Sequence, residues 1–224
     1  MRPDLITFDC YGTLIDWRQG IAKAFRHVVP EAAGVVEARL FDAYERAEAE
    51  VEGGPFRPYR EVLAAAAARV AELLGWRIPA GRDFFLAESL PGWRPFADTN
   101  RSLERLASMG YRLGILSNVD DDLLAGTLRR LSVPFDLVVT AQSVGSYKPA
   151  TAHFRRALEE VGGQPERLLH LAESYYHDVG AARPLGVRVI WVNRQGRAAA
   201  GDVQPTVEVP DLREAVDWIE QLGR

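Results

Sequence analysis

Beyond Pro95 the chain repeats one unit: a short apolar run with β-branched residues, a polar loop, then apolar residues at helical spacing. The pattern predicts helices over 100–109, 120–131, 150–161 and 179–185, alternating with strands over 111–116, 135–140, 168–172 and 187–193. Gly110 closes the first of these helices and Gly162-Gly163 the third. At the start of the chain Leu5-Ile6-Thr7-Phe8 reads as a strand of the same kind, and near the end 206–209 reads as an edge strand before a last helix over 212–222. Strands joined through helices by short loops run parallel, and both faces of their sheet are covered. The expected fold class is therefore α/β with a doubly wound parallel sheet. The segment 194–205, with its Gly, Ala and Gln, reads as a loose surface loop.

Between residues 16 and 92 the strand signals vanish. Ile21, Ala24, Phe25 and Val28 recur at helical spacing, 35–52 is rich in Ala, Glu and Arg, and 59–74 contains a run of five alanines. Gly53-Gly54-Pro55 and Pro58 separate these helices, Gly75 and Pro79 end the third, and a further helix over 83–90 stops at Pro91-Gly92. A helical insertion after the first strand is expected. At 224 residues, 47% hydrophobic and 26% charged, the chain has the material for one domain with such an insertion. A net charge of -4 gives no electrostatic case for nucleic acid or an anionic membrane as partner. No apolar stretch has spanning length and the N-terminal run is too short for a signal segment, so a cytoplasmic protein is expected. The single cysteine, Cys10, forms no internal disulfide and reads as inert packing.

Asp9 stands where the first strand gives out into a loop containing Gly12. In an open parallel sheet ligands bind beyond the carboxyl ends of the strands, which makes Asp9 a nucleophile; capping the next helix is its plainer alternative. Ser117, Lys148 and Glu173 each fall beyond the end of another strand, so the four positions share one edge of the sheet. Ser117 and Asn118 are suited to hold an anionic oxygen. Asp120, Asp121 and Asp122 read as the first turn of a helix matched to its dipole and stay outside the site. His153, His170 and His177 match no zinc-ligand spacing.

The stretch Phe8-Asp9-Cys10-Tyr11-Gly12-Thr13-Leu14 resembles the first motif of the haloacid dehalogenase superfamily of hydrolases. Leu116-Ser117-Asn118 resembles the second motif, Tyr147-Lys148-Pro149 the third, and Leu171-Ala172-Glu173-Ser174-Tyr175-Tyr176-His177-Asp178 the fourth. The resemblance implies a Rossmann-like core over 1–15 and 93–224 and a helical cap over 16–92 whose apolar surface offers a face for a homodimer. It also implies that Asp9 forms a covalent ester or acyl-phosphate that water hydrolyses. Lys148 would stabilise negative charge beside it, Thr13, Ser117 and Asn118 would place a small anionic substrate or the nucleophile, and Asp178 would support hydrolysis. Carboxylates at Asp9, Glu173 and Asp178 around one ammonium would repel unless a cation joined them, and magnesium is the natural candidate.

Phosphatases of this superfamily carry a second aspartate two residues after the nucleophile, to protonate the leaving alkoxide; here that position is Tyr11. A halide leaves unprotonated, so Tyr11 favours carbon-halogen cleavage and the 2-haloacid dehalogenase branch, which needs no metal. The chain departs from that branch in three places. Leu40-Phe41-Asp42-Ala43-Tyr44 lacks the arginine that grips the halide, leaving Arg46, Arg57 or Arg60 to replace it. Phe154 stands for a tyrosine, and Glu173 and Tyr175 stand for a serine and an asparagine. A 2-haloacid hydrolase is the expectation, with a magnesium-dependent phosphatase of activated esters and a catalytically weak binding protein as alternatives.

Overall fold

The computed structural model describes residues 2–52 and 54–222. Its sheet has six parallel strands in the order β3-β2-β1-β4-β5-β6: β1 (Leu5–Phe8), β2 (Arg112–Ser117), β3 (Leu137–Thr140), β4 (Leu168–Ala172), β5 (Arg188–Val192) and β6 (Val207–Val209). The α/β expectation holds, and the last short strand pairs in parallel at the edge. The sheet is built outward from β1 in both directions, which creates a switch point between β1 and β4, the position where such sheets open a crevice for ligands.

Side chains along the strands alternate between two apolar clusters. Ile6, Phe8, Leu113, Ile115, Leu169 and Leu171 face one cluster, while Leu5, Leu116, Leu168, Val189 and Trp191 face the other. Leu103 and Leu106 of α5 (Thr99–Ser108) and Val216 and Ile219 of α10 (Leu212–Leu222) join the first; Phe154 and Ala157 of α8 (Ala152–Glu159) join the second. Between β2 and α8 lie α6 (Asp121–Leu128) and a one-turn α7 (Ala141–Val144) absent from the sequence expectation, and a short α9 (Gly180–Ala182) follows β4.

Between β1 and β2 the elements up to residue 92 are helices, as expected: α1 (Trp17–Val28), α2 (Glu37–Glu52), α3 (Tyr59–Leu74) and α4 (Phe85–Ser89), with short 3₁₀ turns. Their apolar faces belong to the same cluster as Ile6 and Phe8, so this layer and the sheet share buried surface. Close approach fixes one junction: a Cβ on Gly20 of α1 would lie 2.3 Å from the Trp93 ring. A second junction corrects the reading of Asp120. It is buried, and instead of serving its own helix it accepts hydrogen bonds from the backbone of Tyr59 (2.7 Å) and Arg60 (3.0 Å). Pro58 precedes α3 and has no side-chain donor or acceptor to cap it, so a carboxylate from the loop after β2 takes that role. Replacing Asp120 by alanine should lower stability by about 2 kcal/mol, the upper end for a lost N-cap, read as a shift in urea midpoint at unchanged slope.

The loop after β5 is also firmer than expected. Arg194 donates to both oxygens of Asp98 at 3.1 Å and to the Thr13 carbonyl at 2.8 Å, with its guanidinium 4.0 Å from the Phe96 ring centroid. This ties the 194–205 segment to the loop that carries Asp9.

Candidate active site

The backbone of Asp9 continues β1, donating to Leu171 O of β4 at 3.0 Å, and its side chain enters the crevice at the switch point. The chain then turns through Gly12 at φ +102°, a conformation that a side chain would strain; a Cβ there would also come within 3.3 Å of Trp17 and 3.4 Å of Glu173. That turn returns Thr13, whose hydroxyl donates to Asp9 Oδ2 at 2.9 Å and accepts from the Glu173 backbone at 2.8 Å.

Lys148 reaches in from the segment between α7 and α8. Its buried ammonium donates to Asp9 Oδ1 (2.9 Å), Asp178 Oδ1 (2.7 Å) and Leu116 O (2.9 Å), which uses all three of its donors. Burial works against the charged form, but Asp178 and Asp9 outweigh it and hold the ammonium well above the ordinary lysine range. Asp178 stands in a π-helical turn, Tyr175–Val179, where the helix after β4 starts. Burial again works against its charge, and Lys148 together with His170 pulls the carboxyl well below the usual range.

His170 was passed over in the sequence as a zinc ligand, and its place is elsewhere. It is paired with Thr7 across β1 and β4, and its ring spans Thr7 Oγ1 at 2.9 Å and Asp178 Oδ1 at 3.0 Å. Because an ionised carboxylate only accepts, the ring nitrogen facing Asp178 is the donor of that bond. A histidine inside the otherwise apolar run Leu168-Leu169-His170-Leu171 was the available sequence signal. His153 bonds the Ser117 carbonyl at 3.2 Å and is held down to about 4 by burial and by Lys148, so it is a neutral packing residue.

Asn118 takes a different place from the expected one. Its amide is used by the Lys148 backbone in both directions, donating to Lys148 O at 3.0 Å and accepting from Lys148 N at 2.7 Å. It positions the lysine and has little left for an anion. Ser117 Oγ is buried beside it with no partner, as is Asp178 Oδ2. Tyr11 turns its hydroxyl to Thr127 at 2.9 Å and stacks edgewise on Trp93, so it offers the site a ring; burial raises its pKa.

A cavity of about 90 Å³ lies over these groups, lined by Asp9, Ser117, Lys148 and Asp178 below and by Trp17, Tyr44, Glu48, Glu52, Tyr59 and His177 around them. A chamber of about 790 Å³ adjoins it and shares Tyr11, Trp17, Glu48, Glu52 and His177. Two expectations bear on this lining. Arg46 is exposed and Arg60 is paired with Asp120 and Asp122, and among the described residues no arginine lines the smaller cavity. Glu173 lines the larger chamber, where burial raises its carboxyl, and among the described residues no three of His, Cys, Asp and Glu are arranged to hold a metal ion. Lys148, bridging Asp9 and Asp178, supplies the positive charge that a cation was expected to bring. The magnesium set therefore does not fit as a group of three.

A parallel doubly wound sheet with a buried carboxylate-ammonium-carboxylate array at its switch point, beneath a helical layer, defines an α/β protein of the hydrolase type. The model of the haloacid dehalogenase-like hydrolases matches residues 3–186, and the chain belongs to that family. It is similar to an (S)-2-haloacid dehalogenase of Pseudomonas putida, 26% identical over 219 residues, 96% of this chain and 95% of that one. It spans about half the length of curated relatives matched at higher identity, among them a glyceraldehyde 3-phosphate phosphatase of Methanothermobacter thermautotrophicus, 37% identical over 111 residues and 49% of either chain. The structure of an L-2-haloacid dehalogenase from Xanthobacter autotrophicus with chloropropionic acid covalently bound shares the fold at TM-score 0.82 and 20% identity, covering 97% of this chain and 98% of that one.

Proposed function

We infer that the protein hydrolyses a small 2-halo organic acid through an ester to Asp9, with the helices α1 to α4 as a cap that closes the site. The observation that carries this reading is the Asp9 carboxylate itself, fixed by Lys148 and Thr13 at 2.9 Å each on the floor of a small cavity. Two fixed hydrogen bonds orient the carboxylate, and the surrounding helices limit its hydration, the conditions under which a carboxylate attacks carbon. An Asp9 oxygen bonds to C2 of the substrate as the carbon-halogen bond breaks and the halogen leaves with its electron pair. Ser117 Oγ, buried without a partner, is open to the substrate carboxylate. Water then attacks the ester carbonyl; Asp178 Oδ2, the partnerless oxygen of the neighbouring carboxylate, accepts its proton, and Lys148 holds the negative charge that develops. The bond from the carbonyl carbon to the substrate oxygen then breaks, the 2-hydroxy acid leaves with the proton returned by Asp178, and Asp9 is restored as a carboxylate carrying one oxygen from water.

The reading is tested by halide release from 2-chloro- and 2-bromopropionate alongside phosphate release from activated phosphate esters, each with magnesium and with chelator. Halide release that survives chelation is the expected result. Phosphate release that needs magnesium, with no halide released, would overturn it in favour of the phosphatase alternative, whose support is Glu173 and the half-length phosphatase relative.

A further inference from the structure

Glu48 belongs to neither motif nor expectation, yet it lines both the cavity over Asp9 and the chamber beside it. It sits four residues after Tyr44, so both project from the same face of α2. Tyr44 OH donates to Glu48 Oε1 at 2.9 Å, and Tyr59 OH, at the first position of α3, donates to the same oxygen at 2.8 Å. One oxygen is thereby pinned by two phenols, and neither phenol takes Oε2.

We propose that Glu48, in its uncharged form, is the donor that meets the leaving group, its Oε2 hydroxyl pointing at the halogen as the bond to Asp9 forms. The proposal rests on the 2-haloacid reading above and assigns the side of the cavity on which the halide departs. Its chemistry suits a small cavity that, among the described residues, no arginine lines: a neutral carboxyl hydrogen-bonds a departing halide without bringing charge into a cavity that already holds Asp9, Asp178, Lys148, Glu52 and His177. The proton stays on Glu48, the halide leaves as the anion into the adjoining chamber, and Asp9 is left as the ester.

The groups facing Glu48 agree with this. Burial and the Glu52 carboxylate raise its pKa to about 7 against the two tyrosine hydroxyls and His177, so near neutrality a large fraction is protonated. His177 lies 3.6 Å from Glu52 and bonds Ser174 at 3.0 Å; burial disfavours its charge, but Glu52 prevails and raises its pKa. His177 thus sits beside Glu52, whereas the partners of Glu48 are the two phenols. Once ionised, Glu48 would repel the departing halide, so the reaction should slow as pH rises through about 7.

The test is kcat/KM for halide release from 2-chloropropionate between pH 5.5 and 9 in the wild type, Glu48→Gln and Glu48→Ala, with thermal unfolding recorded for each. In the wild type it should fall about tenfold per pH unit above the transition. Glutamine keeps a neutral donor and cannot ionise, so Glu48→Gln should stay within about tenfold of the wild type at pH 6 and lose the alkaline fall. Glu48→Ala should drop by about 100-fold at pH 6. A wild-type profile without the fall, a fall that persists in Glu48→Gln, or wild-type rates in folded Glu48→Ala would each overturn the proposal while leaving Asp9 in its role. Absence of halide from the wild type at every pH would instead overturn the reading on which it rests.

Discussion

Asparagine in place of Asp9 is expected to remove turnover by at least about 10³-fold while leaving the protein folded. The two side chains have nearly the same shape, but an amide oxygen is a poor nucleophile and cannot become an ester that water reverses. The fold should tolerate the change because Lys148 keeps two of its three acceptors, Asp178 and Leu116 O, and the Thr13 hydroxyl can still bond the amide. Removing Asp9 also takes one negative charge from an array in which two buried carboxylates face one ammonium, so the stability change should stay within about 1 kcal/mol. Thermal unfolding reports the fold and halide release the chemistry. Mass spectrometry after turnover in ¹⁸O-water adds a direct readout: label should enter the peptide containing Asp9 in the wild type and stay absent in Asp9→Asn. Full turnover by the asparagine variant, or no label in an active wild type, would take the nucleophile's role away from Asp9.

The parts of the site that lie on strands were legible in the sequence for a simple reason. A buried parallel strand is a short apolar run, its carboxyl end is where the run stops, and Asp9, Ser117, Lys148 and Glu173 could be placed by counting from those ends. The parts that depend on meeting a distant segment were not. Asp120 reads like any first-turn acid, and only the approach of α3, 60 residues earlier in the chain, makes it the cap of Tyr59 and Arg60. Asn118 looks like an anion binder until the Lys148 backbone takes both ends of its amide. Glu48 is one of several glutamates on α2, and nothing in the spacing separates it from the exposed Glu50; its distinction comes from Tyr59, which α3 swings against it. The metal expectation drew on a related kind of information: counting carboxylates gives their charge, whereas the position of Lys148 between two of them, which balances part of it, depends on the fold.

Replacing Lys148 by methionine should therefore be the most damaging single change to stability. The stem is matched in length, so packing is preserved, but Asp9 and Asp178 lose the ammonium that each approaches within 3 Å. Asp178 is fully buried, and breaking a buried pair by removing one partner costs about 3–5 kcal/mol because the other charge stays behind. The pH dependence gives the cause. Lys148 is held above its ordinary range, so its contribution is complete below the unfolded lysine pKa of about 10.4 and is lost only as pH rises beyond that toward the folded value. Asp178 is held below its range, so its contribution is complete above the unfolded aspartate pKa of about 3.9 and is lost as pH falls toward the folded value. Across the interval between, the wild type keeps both. In Lys148→Met the carboxylates no longer have a counter-charge and burial drives them toward the neutral form, so they take up protons on acidification. The difference from the wild type should then be largest near pH 7–8 and shrink toward pH 4, as measured by urea unfolding at each pH. A difference that is small at pH 7, or that grows on acidification, would mean that the array is not held by Lys148, and the fixed carboxylate on which the proposed chemistry depends would lose its physical basis.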